Sequence, residues 1–321
     1  MTRSFVAMFL GLVAFMNPRL MAQTPPRIPA GYATEGRKAA TSQFQTAPGF
    51  VDVSSLDLLP WQDVDFSGTA KGMKTKILSR DEKRGAVTLL TYAPMRYVDQ
   101  ERGYHTADED IFVLEGDLTI GDQKLLKYSY TFVPAGMVHG PVSSRGGALF
   151  LEWFNQKPDF VKSNDNAPGA RAYAAVRDWN YYKAPWTIDF PPFRKDLPAL
   201  GARLKLLRRD PDTGEMLWIN AAIQVRQRGL QARQGLLWEV HPTFEEHFVL
   251  EYSGDMVVDE CLPSRAVANK WPDRSYHYRP AQIPHLILRT GFGLILCHTG
   301  GPLWADYYKA CPKGGKVPVP R

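Results

Sequence analysis

From about Phe50 onward the chain alternates short apolar runs with polar punctuation. Lys74-Thr-Lys-Ile-Leu78, Ala86-Val-Thr-Leu-Leu-Thr-Tyr92, Asp110-Ile-Phe-Val-Leu114 and Ala148-Leu-Phe-Leu-Glu-Trp-Phe154 are rich in β-branched and aromatic residues and are bounded by Gly, Pro, Asp and Ser. That pattern predicts strand after strand. No long stretch carries the 3.6-residue period of an amphipathic helix; one short helix is expected over Ala170 to Asn180. The expected fold class is therefore all-β. Residues 23–48, rich in Pro, Gly, Thr and Ala and without periodicity, read as an extended or disordered arm.

The pattern occurs twice. Lys76-Ile-Leu-Ser-Arg-Asp81 resembles Lys205-Leu-Leu-Arg-Arg-Asp210, and Trp61 and Trp186 precede these stretches by similar distances. His105-Thr-Ala-Asp-Glu109 followed by Val113-Leu-Glu115 matches His241-Pro-Thr-Phe-Glu245 followed by Val249-Leu-Glu251. Pro134-Ala-Gly-Met-Val-His139 matches Pro280-Ala-Gln-Ile-Pro-His285. The spacing between copies grows from 129 at Lys76 to 136 at His105 and 146 at His139, as loop insertions in the second half would make it. Two homologous β domains are expected, over 49–165 and 185–313, with a linker over 166–184 and a tail over 314–321.

Length and charge narrow the class. A chain of 321 residues fits one large domain or two ordinary ones. The net charge is +6, but the basic residues are scattered with no run of five or six, so no nucleic-acid partner is expected. Residues 1–22 are different: Arg3, an apolar stretch from Phe5 to Met16, then Leu20-Met-Ala22. This is the layout of a secretory signal, here cut after Ala22, and the apolar stretch is too short to span a bilayer. Cleavage removes Arg3 and Arg19, leaving 37 basic against 33 acidic residues, a charge of +4. The mature chain is expected to be secreted or periplasmic, with no membrane attachment after cleavage. Its three cysteines are Cys261, Cys297 and Cys311. An odd number leaves at least one unpaired; a Cys261–Cys311 bridge is compatible with the spacing, which does not fix connectivity. No Cys-x-x-Cys pair is present, which argues against a thiolate zinc cluster or a redox dithiol.

The repeated residues carry the candidate chemistry. Positions four apart on a strand point to the same face, so His105 and Glu109 share one face and His139 joins them from a neighbouring strand. Two imidazoles and one carboxylate form a metal-binding triad that leaves coordination positions open for dioxygen, water or substrate. The second copy offers His241, Glu245 and His285, further from the pattern, with Glu239 as a replacement ligand two residues before His241. The expected cofactor is a divalent ion, and ligand type does not choose among Fe, Zn, Mn, Cu and Ni. Gly136 is expected to take a positive φ that aims His139 inward; Pro284, directly before His285, predicts a different turn in the second copy. Strand alternation predicts that Asp108, Asp110 and Glu246 point outward. His247, His277 and His298 fall outside the repeat and are expected in core or surface roles. There is neither a Gly-x-Ser-x-Gly elbow nor a phosphate-cradling glycine loop.

These residues resemble the cupin superfamily. Glu109, six residues and Gly116 follow the end of its first motif, with His105 in place of the second motif histidine; Pro134, Gly136 and His139 fit the second motif. The run Pro134-x-Gly136-x-x-His139-x-Pro141-x-Ser143 is similar to the ChrR-like cupins. The first histidine of the family's His-x-His is Gly103 in copy one and Glu239 in copy two, Gln282 replaces the second motif's glycine, and Tyr252 stands where copy one has Gly116. The resemblance implies two tandem cupin barrels (double-stranded β-helix, or jelly roll), a bicupin, acting as monomer or homodimer. It further implies a metal-dependent dioxygenase acting on a small organic substrate, an enolisable diketone or phenol. Two alternatives stay open: an exported non-catalytic cupin that binds metal or a small molecule, and a zinc-dependent hydrolase or lyase.

Overall fold

The computed structural model describes residues 51–63, 70–187, 203–222, 238–253, 256–262, 265–289, 292–302 and 306–308. The expected signal, the arm over 23–48 and the tail after 313 lie outside them. Among the described residues every regular element is a strand, apart from the 3-10 turns Leu56–Leu58 and Ala172–Ala174. No described helix is long and apolar enough to cross a membrane.

The first barrel is built on the twelve-residue strand Glu109–Ile120. Its first half lies between Ser129–Val133 and Ala148–Phe154 in a sheet that continues through Val87–Ala93, Lys74–Arg80 and Gln62–Asp63. Its second half pairs with Gln123–Leu126 and Val142–Ser144, which closes the barrel. The second barrel repeats the scheme: Glu245–Ser253 lies between Tyr276–Arg279 and Phe292–Thr299, and a facing five-stranded sheet includes Met256–Leu262, His285–Arg289 and Trp238–Val240.

The segment ahead of each barrel crosses to the other one. Val51–Val53 pairs with Tyr276–Arg279 of the second barrel, and Val176–Asn180 pairs with Ser129–Val133 of the first. Val51 and Val176 are 125 residues apart, the same spacing that separates Trp61 from Trp186. The exchange is therefore part of the repeat. It also corrects two expectations. Residues 51–53 complete the second barrel, and 176–180 is a strand of the first, not part of a linker. The helix expected over Ala170 to Asn180 is instead a 3-10 turn followed by that strand, because Val176 and Trp179 pack on the shared core and strand pairing outweighs local preference.

Both faces of the central strands are buried. In Glu109–Ile120, Ile111 and Val113 face the barrel interior, while Phe112 and Leu114 join a core that also contains Leu207, Leu217, Phe248 and Leu296 of the second barrel. Burial of each such side chain contributes roughly 1.5–3 kcal/mol. This explains why Asp110 and Glu246 are only 3% and 5% exposed. Alternation does turn them away from the barrel interior as expected, but that side is covered by the other barrel, not by water. There Asp110 takes Arg208 Nε and Nη2 at 3.0 and 2.9 Å, with Tyr130 donating to the same carboxylate. Glu246 accepts from Thr88 Oγ1 at 2.8 Å and Trp153 Nε1 at 2.6 Å, and lies 3.2 Å from His298 Nδ1. His298 Nε2 is 2.8 Å from Glu215. Asp108, less deeply buried, accepts from Arg171 at 2.9 Å. The recurring lysines are explained in the same way: Lys76 sits over Trp61 and Lys205 over Trp186, at 4.8 and 4.7 Å from the ring centroids, a cation–π arrangement.

Candidate metal centres

His105 ends the short strand Gly103–His105, Glu109 begins the long strand, and His139 follows the Pro134–Met137 turn. One ligand atom from each lies within 4.8 Å of the others, a cluster that a cation with bonds of about 2 Å can close on. The His139 ring is fixed by its Nδ1, 3.1 Å from the Met137 carbonyl, which leaves Nε2 for the site. That Nε2 is 3.4 Å from Glu109 Oε2, yet Oε2 is buried and has no hydrogen-bond partner. A buried carboxylate oxygen left unpaired beside two imidazoles is what a metal-binding set without its ion presents.

Electrostatics agree. Burial, with Asp110 adding to it, pushes the Glu109 carboxyl up to about 8. Burial, reinforced by His139, holds His105 down to about 3, and burial lowers His139 as well. The triad is therefore a set of groups short of positive charge. It opens on a cavity of about 60 Å³ whose wall includes Met73, Ile111, Phe150, Phe154 and Phe160. Glu152 lies on that wall too, accepting a hydrogen bond from Thr91 and pushed up to about 8 by burial and by Glu109. The sequence reading did not single it out. The signal was the alternation Phe150-x-Glu152-x-Phe154, which puts Glu152 on the interior face with two phenylalanines.

The second copy brings His241 and His285 together with Glu239, again within 4.8 Å. Glu245, the carboxylate expected by analogy, is close, at 3.3 Å from His241 Nε2 and 3.5 Å from His285 Nε2. However, it also accepts from Arg279 at 2.7 Å, and Arg279 is bidentate on Glu260 at 2.9 and 2.6 Å. Burial would raise Glu245, but His241, His285, His247 and Arg279 outweigh it and hold the carboxyl down to about 2. Glu239 reaches His285 Nε2 at 3.2 Å across the same antiparallel bridge by which Gly103 faces His139.

The turns before the two second histidines are alike, contrary to the expectation from Pro284. Gly136 has φ +76° and Gln282 φ +68°. Each donates its N–H to the carbonyl of the matching histidine, His105 or His241, at 2.9 Å. Of the residues outside the repeat, His298 lies between the barrels, His247 is half-buried in the second, and His277 is buried there and stacks on Trp271 at 4.1 Å. Cys261 is disulfide-bonded and Cys297 is free and buried; Cys311 lies outside the described residues.

Residues 54–156 match the ChrR Cupin-like domain. The chain has the bicupin fold. It is similar to a candidate dioxygenase from Nostoc punctiforme PCC 73102, at 20% identity and a TM-score of 0.60, covering 83% of this chain and 87% of that one. It is also similar to the protein Ylba of E. coli, at 12% identity and a TM-score of 0.50, covering 78% and 90%. A mutant of Bacillus subtilis oxalate decarboxylase OxdC follows at 13% identity and a TM-score of 0.48, covering 78% and 76%. No curated protein matches the sequence. At 20% and 12% identity the first two likenesses show the bicupin fold alone; each of the two histidine–carboxylate clusters could hold a metal ion.

Proposed function

We propose that the first barrel binds a divalent metal ion through His105, Glu109 and His139 and acts as a dioxygenase on a small organic molecule of enolisable diketone or phenolic type. The observation that carries the reading is the placement of this triad on the wall of an apolar cavity. Three protein ligands leave coordination positions free, and the bound ion would supply adjacent sites for substrate and dioxygen. The chain's own residues do the rest. Met137 orients His139, Phe150, Phe154 and Phe160 exclude water, and the low-dielectric wall strengthens every charge interaction inside it. The similarity in fold to a candidate dioxygenase supports the same direction. The second barrel, in this reading, holds an ion through Glu239, His241 and His285, with Glu245 beside it, in a structural role.

Export is part of the proposal. The amino-terminal pattern supports it, and so does the disulfide at Cys261, since such bonds persist in oxidising compartments. The test is elemental analysis of the purified mature chain beside His139→Ala and His285→Ala, with oxygen uptake followed on diketones and phenols. Two ions in the wild type, one in each variant, and uptake abolished only by His139→Ala are expected. Stoichiometric metal with no turnover on any substrate would favour a non-catalytic binder.

A further inference from the structure

The interface between the barrels is built twice, once from each copy of the repeat, and one pair of charged residues has no counterpart. In the second barrel Arg208 Nε and Nη2 lie 3.0 and 2.9 Å from Asp110 of the first. Arg208 also pairs with Glu215 and covers the Phe132 ring at 4.0 Å. Matching turns fix the equivalent positions. The Asp81 N–H donates to the Ala86 carbonyl at 2.8 Å, and the Asp210 N–H to that of Glu215 at 2.8 Å. The strands ahead of these turns shift register at the same place, between Ile77 and Ser79 and between Leu206 and Arg208. Ser79 therefore stands where the second barrel has Arg208, and Ala86 where it has Glu215. Glu246 corresponds to Asp110 and Tyr278 to Phe132, since Glu246 faces Tyr278 across the strands as Asp110 faces Phe132. Ser79 is too short to replace a guanidinium, and its hydroxyl comes only within 3.4 Å of Glu246.

The vacated space is a cavity of about 240 Å³ whose wall includes Ser79, Ala86, Trp153, Glu246 and Tyr278. It far exceeds the room for one water, roughly 10–15 Å³. Glu246 is buried at its wall, and a buried charge is stabilised by an opposite one. Among the described residues that line the cavity, the cationic groups are already engaged. His298 is shared between Glu246 and Glu215 at 3.2 and 2.8 Å, and Arg84 pairs with Asp81 at 2.8 Å. Tyr278 stacks on Phe244 at 5.5 Å and offers an aromatic face. A carboxylate beside an aromatic ring is the surrounding that Arg208 has at the equivalent place, and a planar guanidinium suits both groups at once. We infer that the cavity between the barrels binds a small guanidinium compound, its planar cation paired with Glu246 and stacked on Tyr278 as Arg208 is paired with Asp110 and stacked on Phe132. Among the described residues, no member of either metal cluster lines this cavity.

The test is titration calorimetry on the full chain with n-propylguanidinium and with n-propylurea, an uncharged molecule of the same shape. The guanidinium is expected to bind at least about tenfold more tightly, the effect of hydrogen bonding to a charged group. Ser79→Arg supplies from the chain itself the cation that the cavity lacks. It is expected to abolish n-propylguanidinium binding and to leave the metal content unchanged. Glu246→Gln keeps the shape of the wall and removes its charge, and is expected to bring n-propylguanidinium down to the affinity of n-propylurea. Thermal melts establish that each variant is folded. Binding of n-propylguanidinium no tighter than that of n-propylurea, or undiminished in either folded variant, would overturn the inference. Where a variant does not fold, a crystal of the wild type with n-propylguanidinium decides: the cation between Glu246 and Tyr278 upholds the site, and the cation anywhere else overturns it.

Discussion

In the first barrel a glycine, Gly103, faces His139 across an antiparallel bridge; in the second a glutamate, Glu239, faces His285 at the same place. Gly103 has no room to be anything else. A Cβ there would meet the Val161 carbonyl oxygen at 2.2 Å and the Phe160 ring at 2.6 Å. The first barrel thus has an aromatic wall at Phe160 where the second has a carboxylate, and a cavity beside its three candidate ligands. The second has Glu239 as a further carboxylate beside Glu245, His241 and His285, and polar side chains stand on its interior. Where the first has Ile111 and Val133, at register positions 136 and 146 residues earlier, the second has His247 and Arg279. Among the described residues, Glu239, Glu245 and Glu260 all lie close enough to act on the Arg279 guanidinium. The same fold thus carries one histidine–carboxylate cluster beside an apolar cavity and another beside a buried arginine that pairs with two carboxylates.

The sharpest way to break this comparison is to remove the second histidine of each copy. His139→Ala is expected to lower turnover more than about 100-fold, beyond the usual effect of losing an outer-shell partner. His285→Ala is expected to leave turnover within about twofold, as for an independent distant site, while lowering the melting temperature. Steady-state oxygen uptake and thermal melts on both variants check this. Equal loss of turnover in the two would mean that the barrels share the work.

The next largest effect is expected at Arg279. Arg279→Leu leaves Glu245 and Glu260 buried without their partner, and breaking a buried pair in this way costs about 3–5 kcal/mol. Denaturant unfolding measures it, and a cost below about 1 kcal/mol would remove Arg279 from its place as the organiser of the second barrel.

Much of this was legible in the sequence, for identifiable reasons. Alternating apolar runs and the doubled His-x-x-x-Glu spacing are local signals, and they led to two β barrels and to His105, Glu109 and His139 on one wall. What was not legible depends on contacts distant in sequence. Alternation correctly turned Asp110 and Glu246 away from the barrel interior, but only the packing of one barrel on the other decides that they meet Arg208 and Trp153 and not solvent. Val51–Val53 and Val176–Asn180 are ordinary short strands, and nothing local says that each pairs with the far barrel. Glu239 was recognisable as a spare ligand from its place two residues before His241. That Arg279 would engage Glu245 follows from a cross-strand register no short motif carries.

The interface distinguishes the barrels in a further way. Trp153 and His298 occupy matching strand positions, opposite Asp110 and Glu246 respectively, and their rings touch edge to face at 6.0 Å. Only one of them titrates. Burial alone would lower His298, but Glu215 and Glu246 on either side raise it to about 10, from an ordinary 6.5. Trp153 and Phe244 lie against its ring, Asp110 acts on it from the first barrel, and Arg208 pairs with Glu215. A histidine raised in the folded state contributes stability that is complete below pH 6.5 and lost as pH climbs through 10. Unfolding free energy is therefore expected to fall by roughly 1 kcal/mol per pH unit between pH 7 and 9, and His298→Gln should flatten that slope. A slope unchanged in His298→Gln would assign the titration elsewhere.

The smallest effect tests the two turns. Gln282 holds a left-handed conformation that costs a side-chain-bearing residue about 1–2 kcal/mol, whereas glycine adopts it freely. Glycine also gives the unfolded chain more entropy to lose, which offsets about 0.5–1 kcal/mol of that gain. Gln282→Gly is thus expected to stabilise by about 0.5 kcal/mol. Gly136→Ala should act in the opposite direction and more strongly. It pays the same backbone strain, and its new Cβ would meet Ala167 Cβ at 2.8 Å, so the 167–170 turn must shift. Because Gly136 donates to His105 and stands three residues before His139, the shift should also loosen the first triad. Metal affinity in Gly136→Ala, set beside melting curves for both variants, tells whether the turn positions the ligands or merely connects two strands. Unaltered affinity with lowered stability would leave it as a connector.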